Sequence, residues 1–384
     1  MNLRDSSPTA RRTPLPAALG DFVVRYGIIL VGVTLYIAFS ASTTGFGTWD
    51  NAVSILQIQA VAAIAALGMT LTAIVGDLDL SVGAVTGLSV TVAAEAMIHY
   101  ELTGPSAIVI CLVVGLLVGC VNATLIVFLN IPPLLATLGT MFTVQGLKRW
   151  LVDGQTLTTG MKLSDGTVVK GKFTDDFTAI DGDKLFGIPY SVYLFLVIAL
   201  LLWVFLQRTR YGRVFYAVGG NEEAARLAGT RVRRYKFGAY AISGVLAATA
   251  GIILASRLRQ GDVTAGDSSL LDAVAMTLVG YAVLGAKKPN ALGTFVGAVF
   301  IGLILQGLTM RGLPYYTQDL IKGLVLIFAL LMSFSLRRSR RRRAAGTTSA
   351  PDDPTTTEPS PSTTGTTAAN NPTTASATAE STHG

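Results

Sequence analysis

At 384 residues, with 51% apolar side chains, 14% charged and a mean hydropathy of +0.55, the chain is too apolar for a soluble domain and reads as an integral membrane protein. A formal charge of +7 does not make it a nucleic-acid binder: Lys and Arg gather near the N-terminus, in one central loop and at Arg337–Arg343, the pattern that orders membrane topology. His99 and His383 cannot build a histidine metal site, and Cys111 and Cys120, nine positions apart in one apolar run, cannot reach each other.

Residues 1–25 are predicted to be a cytoplasmic leader. Its first part is polar and proline-broken, and no small-residue cleavage site follows the first apolar run, which argues against a signal peptide. With roughly 20 apolar residues needed per crossing, a transmembrane domain over 26–336 is expected. Its spans fall near 26–42, 52–75, 80–98, 105–129, 134–151, 190–206, 237–255, 270–284, 291–310 and 316–336. The fold class is therefore all-α, with about ten transmembrane helices. From a cytoplasmic N-terminus, the arginine-rich 208–236 loop, Lys287-Lys288 and Arg337–Arg343 all fall inside, and the C-terminus is cytoplasmic too. An odd number of spans per half gives two inverted halves of roughly five helices each. Gly115/Gly119 before an Ile131-Pro132-Pro133 break loosely echoes Gly293/Gly297 before Leu313-Pro314. With Gly83/Gly87, these are small-residue pairs that let helix backbones approach closely.

Between the second and third spans, Asp77 and Asp79 border long apolar runs, which is costly unless the carboxylates face water, pair, or cap a helix. Asp79 or Ser81 is expected to cap the third span at the inner face, where a capped break could also hinge an inner gate. Asn122, Thr137, Thr140, Gln145, Asp272 and Gln306 are buried polar residues that could bond a passing solute or a neighbouring helix. The extracytoplasmic loop 152–188 holds a hairpin signal at Asp165-Gly166. Gly166–Lys172 imitates a phosphate-binding loop, but Phe173 stands where Ser or Thr would hold magnesium and no helix follows, so ATP falls to another chain.

The cytoplasmic loop 208–236 surrounds a polar island, Gly219–Thr230. Asn221 is a good N-cap, Glu222 and Glu223 suit the first turn of a helix, Glu222 and Arg226 stand at i,i+4, and Gly229 supplies a C-terminal stop.

This island, with Tyr240-Ala241-Ile242-Ser243-Gly244 and Ala250-Gly251-Ile252 after it, resembles the cytoplasmic-loop signature of ABC-type monosaccharide permeases of the ribose and xylose kind. The resemblance covers about Ala52–Leu336. Asp79-Leu80-Ser81-Val82-Gly83 is similar to a family signature, with Asp77 replacing the commoner glycine. Residues 131–140 resemble a Pro-Phe-Ile-Ala-Thr-Leu-Gly-Thr segment, which raises Thr137 and Thr140, and Leu271–Ala275 resembles a Leu-Asp-Ala-Ile-Ala segment. Gly285–Thr294 departs from the usual glycine-rich run.

What the resemblance implies is the permease subunit of an ATP-driven importer for a monosaccharide or related polyol, working by alternating access in a homodimer, in a bacterial inner membrane, with no catalytic residue, metal or cofactor of its own. Gly220, Asn221, Glu222, Glu223, Arg226, Leu227 and Gly229 would be the coupling element seated in a partner ATPase that carries ATP and magnesium. A sugar-binding protein would dock outside, on the 152–188 loop, unless that loop is only a solvated cap. Asp79, Ser81, Asn122, Thr137, Thr140, Asp272 and Gln306 would belong to the path or gate. Other cargoes fit the same architecture: a nucleoside, an autoinducer-like furanose or a branched-chain amino acid. A non-transporting membrane scaffold is the reading from a different class. Residues 337–384 are expected to be a lipid-facing basic cluster and a disordered Thr/Ser/Pro-rich tail.

Overall fold

The computed structural model describes residues 15–162, 166, 168–282, 288–314, 316–325 and 327. Asp165, Lys287, residues 326 and 328–336 of the tenth span, the Arg337–Arg343 cluster and the tail lie outside the described residues.

The long elements start where local chemistry allows. Helix α1 is Leu15–Ser42, and α2, Trp49–Ile74, begins at Thr48, whose side chain accepts from the Asn51 N–H. Helix α3, Val82–Ala94, runs on through a π-helical turn, Glu95–His99. Prolines at the first turn open α4, Gly104–Val127, and α5, Pro133–Leu151, where a missing N–H is harmless. Helix α6, Asp175–Gly182, and a two-residue hairpin, β1 Lys184–Leu185 with β2 Ile188–Pro189, build the second part of the 152–188 loop. Then follow α7, Tyr190–Arg208; α8, Arg210–Gly220; α9, Glu222–Leu227; α10, Val232–Leu258; α11, Ser269–Ala282; and α12, Ala291–Met310. Residues 316–325 are also helical.

Among the described residues, six helices are long and apolar enough to cross a membrane: Trp49–Ile74, Val82–His99, Gly104–Val127, Tyr190–Arg208, Val232–Leu258 and Ala291–Met310. Tyr26–Ser42 and Ser269–Tyr281 are shorter apolar helices. The chain is a multi-pass, all-α membrane protein. Helix α10 starts five residues before the predicted 237, because Arg233 and Arg234 extend it while staying exposed. Helices α6 and α8 were not expected.

Helix α2 is the axis of the core, buried at every position from Gln59 to Ile74. The packing is reciprocal between the halves: α2 lies against α10, α11 and α12, while α10 lies against α2, α3 and α4. The α4–α10 crossing depends on missing side chains. A Cβ on Gly115 would sit 2.4 Å from Ala248 Cβ, and one on Gly119 would sit 2.4 Å from the Tyr240 carbonyl. Gly293 and Gly297 do the same for α12 against Gly280 and Met276 of α11.

The connections divide between two ends. One end, the basic one, gathers the α2–α3 turn, the α4–α5 junction and the whole α8–α9 segment, with a Cβ on Gly219 colliding with the Ile74 carbonyl. The opposite end gathers the 152–188 loop, which pairs at Leu157 with Gly261, and the α10–α11 connection. There Phe177 is fully buried and Asp181 accepts from Arg257 at 2.8 Å, so this loop is a packed cover. Among the described residues of the expected hairpin, Lys162 bridges Val168, and the Val169 N–H bonds the Met161 carbonyl at 3.0 Å.

Candidate coupling helix and polar turns

Helix α9 carries the caps its sequence requires. Asn221 Oδ1 accepts from the Ala224 N–H at 3.0 Å. At the other end Gly229 takes φ +79°, its N–H bonds the Arg226 carbonyl at 2.9 Å, and the Thr230 N–H bonds the Ala225 carbonyl at 3.0 Å. Those two bonds make a Schellman stop, which a left-handed glycine allows without a Cβ penalty. The expected Glu222–Arg226 pair does not form. Arg226 instead forks onto Glu223, at 2.7 and 2.5 Å, because Glu222 is turned toward Lys236. Leu227 is 80% exposed, an apolar side chain held out from a short helix. Beside Gly220, Lys288 Nζ donates to the Tyr216 carbonyl at 2.5 Å.

The helix is wired to the α2–α3 turn through one lysine. Lys236 Nζ stands 3.0 Å from Glu222 Oε2 and 3.5 Å from Asp77 Oδ1. Burial raises the Asp77 carboxyl above its ordinary range, and the Lys236 charge pulls it back down. Two residues on, Asp79 is fully buried. Its Oδ1 accepts from the Ser81 N–H at 3.0 Å and from Ser81 Oγ at 2.6 Å, and its Oδ2 accepts from Ser243 Oγ of α10 at 2.8 Å.

Ser81 occupies the cap position with helical backbone and makes no side-chain cap bond, while Asp79 both accepts the Ser81 N–H at the start of α3 and ties the turn to α10. Asn122 Nδ2 of α4 donates to Ser81 Oγ at 2.8 Å, and Thr137 Oγ1 of α5 donates to the Pro133 carbonyl at 2.9 Å and reaches the Leu78 carbonyl at 3.4 Å. Thr140 is buried one turn further along α5.

Asp79, Ser81, Asn122 and Thr137 are thus one cluster near the α8–α9 segment, while Asp272 and Gln306 lie together at the opposite end. They line a cavity of about 420 Å³ with Gln59, Arg257, Asp262 and Lys322. Gln306 Nε2 donates to Asn51 Oδ1 at 2.8 Å, and Asp272 pairs with Lys322 at 2.9 Å.

Sequence reasoning missed the lysines. Lys148 is fully buried in α5, donating to the Ala265 carbonyl at 3.0 Å and to Asp267 at 2.7 Å. Lys148, Lys236 and Lys322 each stand in or beside an apolar run, and that cost was the available signal. The α10–α11 connection also repeats the motif of the α2–α3 turn: Asp262 Oδ1 accepts from both the N–H and Oγ1 of Thr264 at 2.8 Å, as Asp79 does from Ser81.

Residues 51–330 match the family model described as branched-chain amino acid transport system / permease component. The ribose import permease protein of Haemophilus influenzae is 34% identical over 313 residues, covering 82% of this chain and 94% of that protein. That of Bacillus subtilis is 34% identical over 282 residues, 73% and 84% of the two chains. The xylose transport system permease protein of Escherichia coli is 28% identical over 356 residues, 80% and 90%. No solved structure matches the chain.

Proposed function

The chain belongs to the permease-component family of branched-chain amino acid transport systems, and from that premise we propose that it is the membrane subunit of an ATP-driven importer for a monosaccharide. The sugar reading draws on the ribose and xylose permeases it resembles along most of its length. A branched-chain amino acid is the second reading, favoured by the description of the family model.

The observation that carries the assignment is the α9 helix with its connections. Its caps fix it rigidly, Glu223, Arg226 and Leu227 face outward, and Glu222 faces back to Lys236 and Asp77. An exposed leucine flanked by charges suits insertion into a groove of a partner protein. In this reading the partner is an ATPase that binds ATP and magnesium, while this chain makes and breaks no covalent bond.

Two copies form the pore, with about ten spans each in two inverted halves, both termini in the cytoplasm and the assembly in a bacterial inner membrane. A sugar-binding protein docks on the 152–188 side. ATPase closure moves α9, Lys236 carries the displacement to the Asp77–Asp79 turn, and that turn shifts α3 and α10 against each other through the Asp79–Ser243 bond. The reciprocal packing of α2 and α10 supports such an exchange between inward and outward states. Anionic lipid meets the basic end.

Reversing Glu222 and Glu223 to Arg tests the coupling. Ligand-stimulated ATP hydrolysis should vanish while the dimer stays inserted; wild-type stimulation in that variant rules the coupling role out.

A further inference from the structure

We propose that the cavity between α2, α10, α11, α12 and residues 316–325 is a resident site for one neutral polyhydroxylated solute, recognised by the Asp272–Lys322 pair and Gln306. The inference rests on the import reading above and adds to it the place and chemistry of the cargo.

The cavity, about 420 Å³, falls in the range of small-molecule sites. Its cations are already matched. Lys322 lies 2.9 Å from Asp272, and the two side chains are only 11% and 14% exposed. Arg257 forks onto Asp181 at 2.8 and 3.2 Å and donates to the Gln57 carbonyl at 2.6 Å. Asp262 is engaged by Thr264.

A zwitterionic amino acid needs an unmatched cation for its carboxylate and an unmatched carboxylate for its ammonium, and a phosphorylated sugar needs surplus cations. No unmatched cation is provided: Arg257 and Lys322 are both committed to carboxylates, which leaves the carboxylate of an amino acid or a phosphate without a partner. A neutral polyol needs alternating donors and acceptors at hydroxyl spacing, with an apolar wall for its C–H face. Carboxylate, ammonium and amide groups stand together here, and Ile55, Val61, Leu254 and Leu305 supply the wall. A paired Asp and Lys inside apolar helices is a poor source of stability, since well-packed apolar residues would serve as well. An ionisable residue within membrane helices is by default a candidate for a solute pathway.

The test uses the complete importer in proteoliposomes, with uptake of radiolabelled D-ribose, L-leucine and D-ribose 5-phosphate measured beside binding-protein-stimulated ATP hydrolysis. Asp272→Asn with Lys322→Gln removes the recognition charges. Thr309→Trp, at an exposed position on the cavity rim, obstructs the site without touching the pair. The double variant should lower ribose uptake by about tenfold or more, the worth of one lost charge-assisted hydrogen bond, and Thr309→Trp should lower it by steric exclusion, while stimulated hydrolysis persists in both. In a third variant, Thr309→Cys with Cys111 and Cys120 replaced by Ala, D-ribose should slow alkylation of the new thiol and L-leucine should not. Wild-type ribose uptake in both of the first two variants, or no ribose protection in the third, overturns the site. Wild-type importer that takes up leucine and no ribose overturns the sugar premise instead.

Discussion

Lys236 bridges two carboxylates that the chain places far apart in sequence, standing 3.5 Å from Asp77 and 3.0 Å from Glu222. Asp77 occupies the turn between α2 and α3, and Glu222 opens α9, so this lysine is an ionic link between the two. If it transmits motion, Asp77→Asn and Lys236→Gln should each depress ligand-stimulated ATP hydrolysis. Combined, they should fall short of the summed effects by about 1 kcal/mol. Strict additivity would separate the two residues.

The caps of α9 make a second, independent expectation. Asn221→Ala should cost about 1 kcal/mol of local helix stability, and Gly229→Ala a similar amount, about 1 kcal/mol, because φ +79° becomes strained. Hydrogen exchange should quicken at Ala224 and Ala225 while the α2 core stays protected. Uniform protection across the variants would mean that packing alone holds the helix.

Burial of Asp77 has a pH signature. Its native-state carboxyl is raised above the unfolded value, so the stability it contributes is full at acid pH and is lost as pH rises above about 4 and through the raised native value. Detergent-solubilised wild type should therefore lose melting temperature against Asp77→Asn as pH rises toward neutrality. Parallel curves would show that the Lys236 pair cancels the burial.

At the opposite end, Lys148→Met leaves the Ala265 carbonyl and Asp267 without their buried donor, a loss of about 2 kcal/mol. Gly115→Leu should be worse, about 3 kcal/mol or more, since even its Cβ would overlap Ala248 and the Gly244 carbonyl. Thermal unfolding with monodispersity checks both; a Gly115→Leu protein as stable as wild type would refute the close α4–α10 crossing.

The apolar runs and the α9 caps were legible in the sequence because each follows from nearest-neighbour chemistry. Asn221 and Gly229 needed nothing beyond their own helix. Partner choice was not legible: Glu222 has two cations within reach of its helix end, and only the fold turns it to Lys236 and leaves Arg226 to Glu223. The second tie of Asp79 was hidden for the same reason: its Oδ1 serves the Ser81 N–H locally, but its Oδ2 accepts from Ser243, 164 residues away. Helix α8 was hidden among its arginines, although Tyr211, Val214, Phe215 and Val218 carry helical spacing, and Phe215 packs between Phe205 and Tyr235 at 5.8 and 5.4 Å.

The central claim is import of a sugar driven by a separate ATPase. Its most direct measurement is ATP hydrolysis by the permease reconstituted with its ATPase and binding protein, screened against pentoses, hexoses, polyols, nucleosides and branched-chain amino acids. The account predicts stimulation by a monosaccharide, lost on reversal of Glu222 and Glu223. Stimulation by leucine alone, or a folded permease that recruits no ATPase, would contradict it.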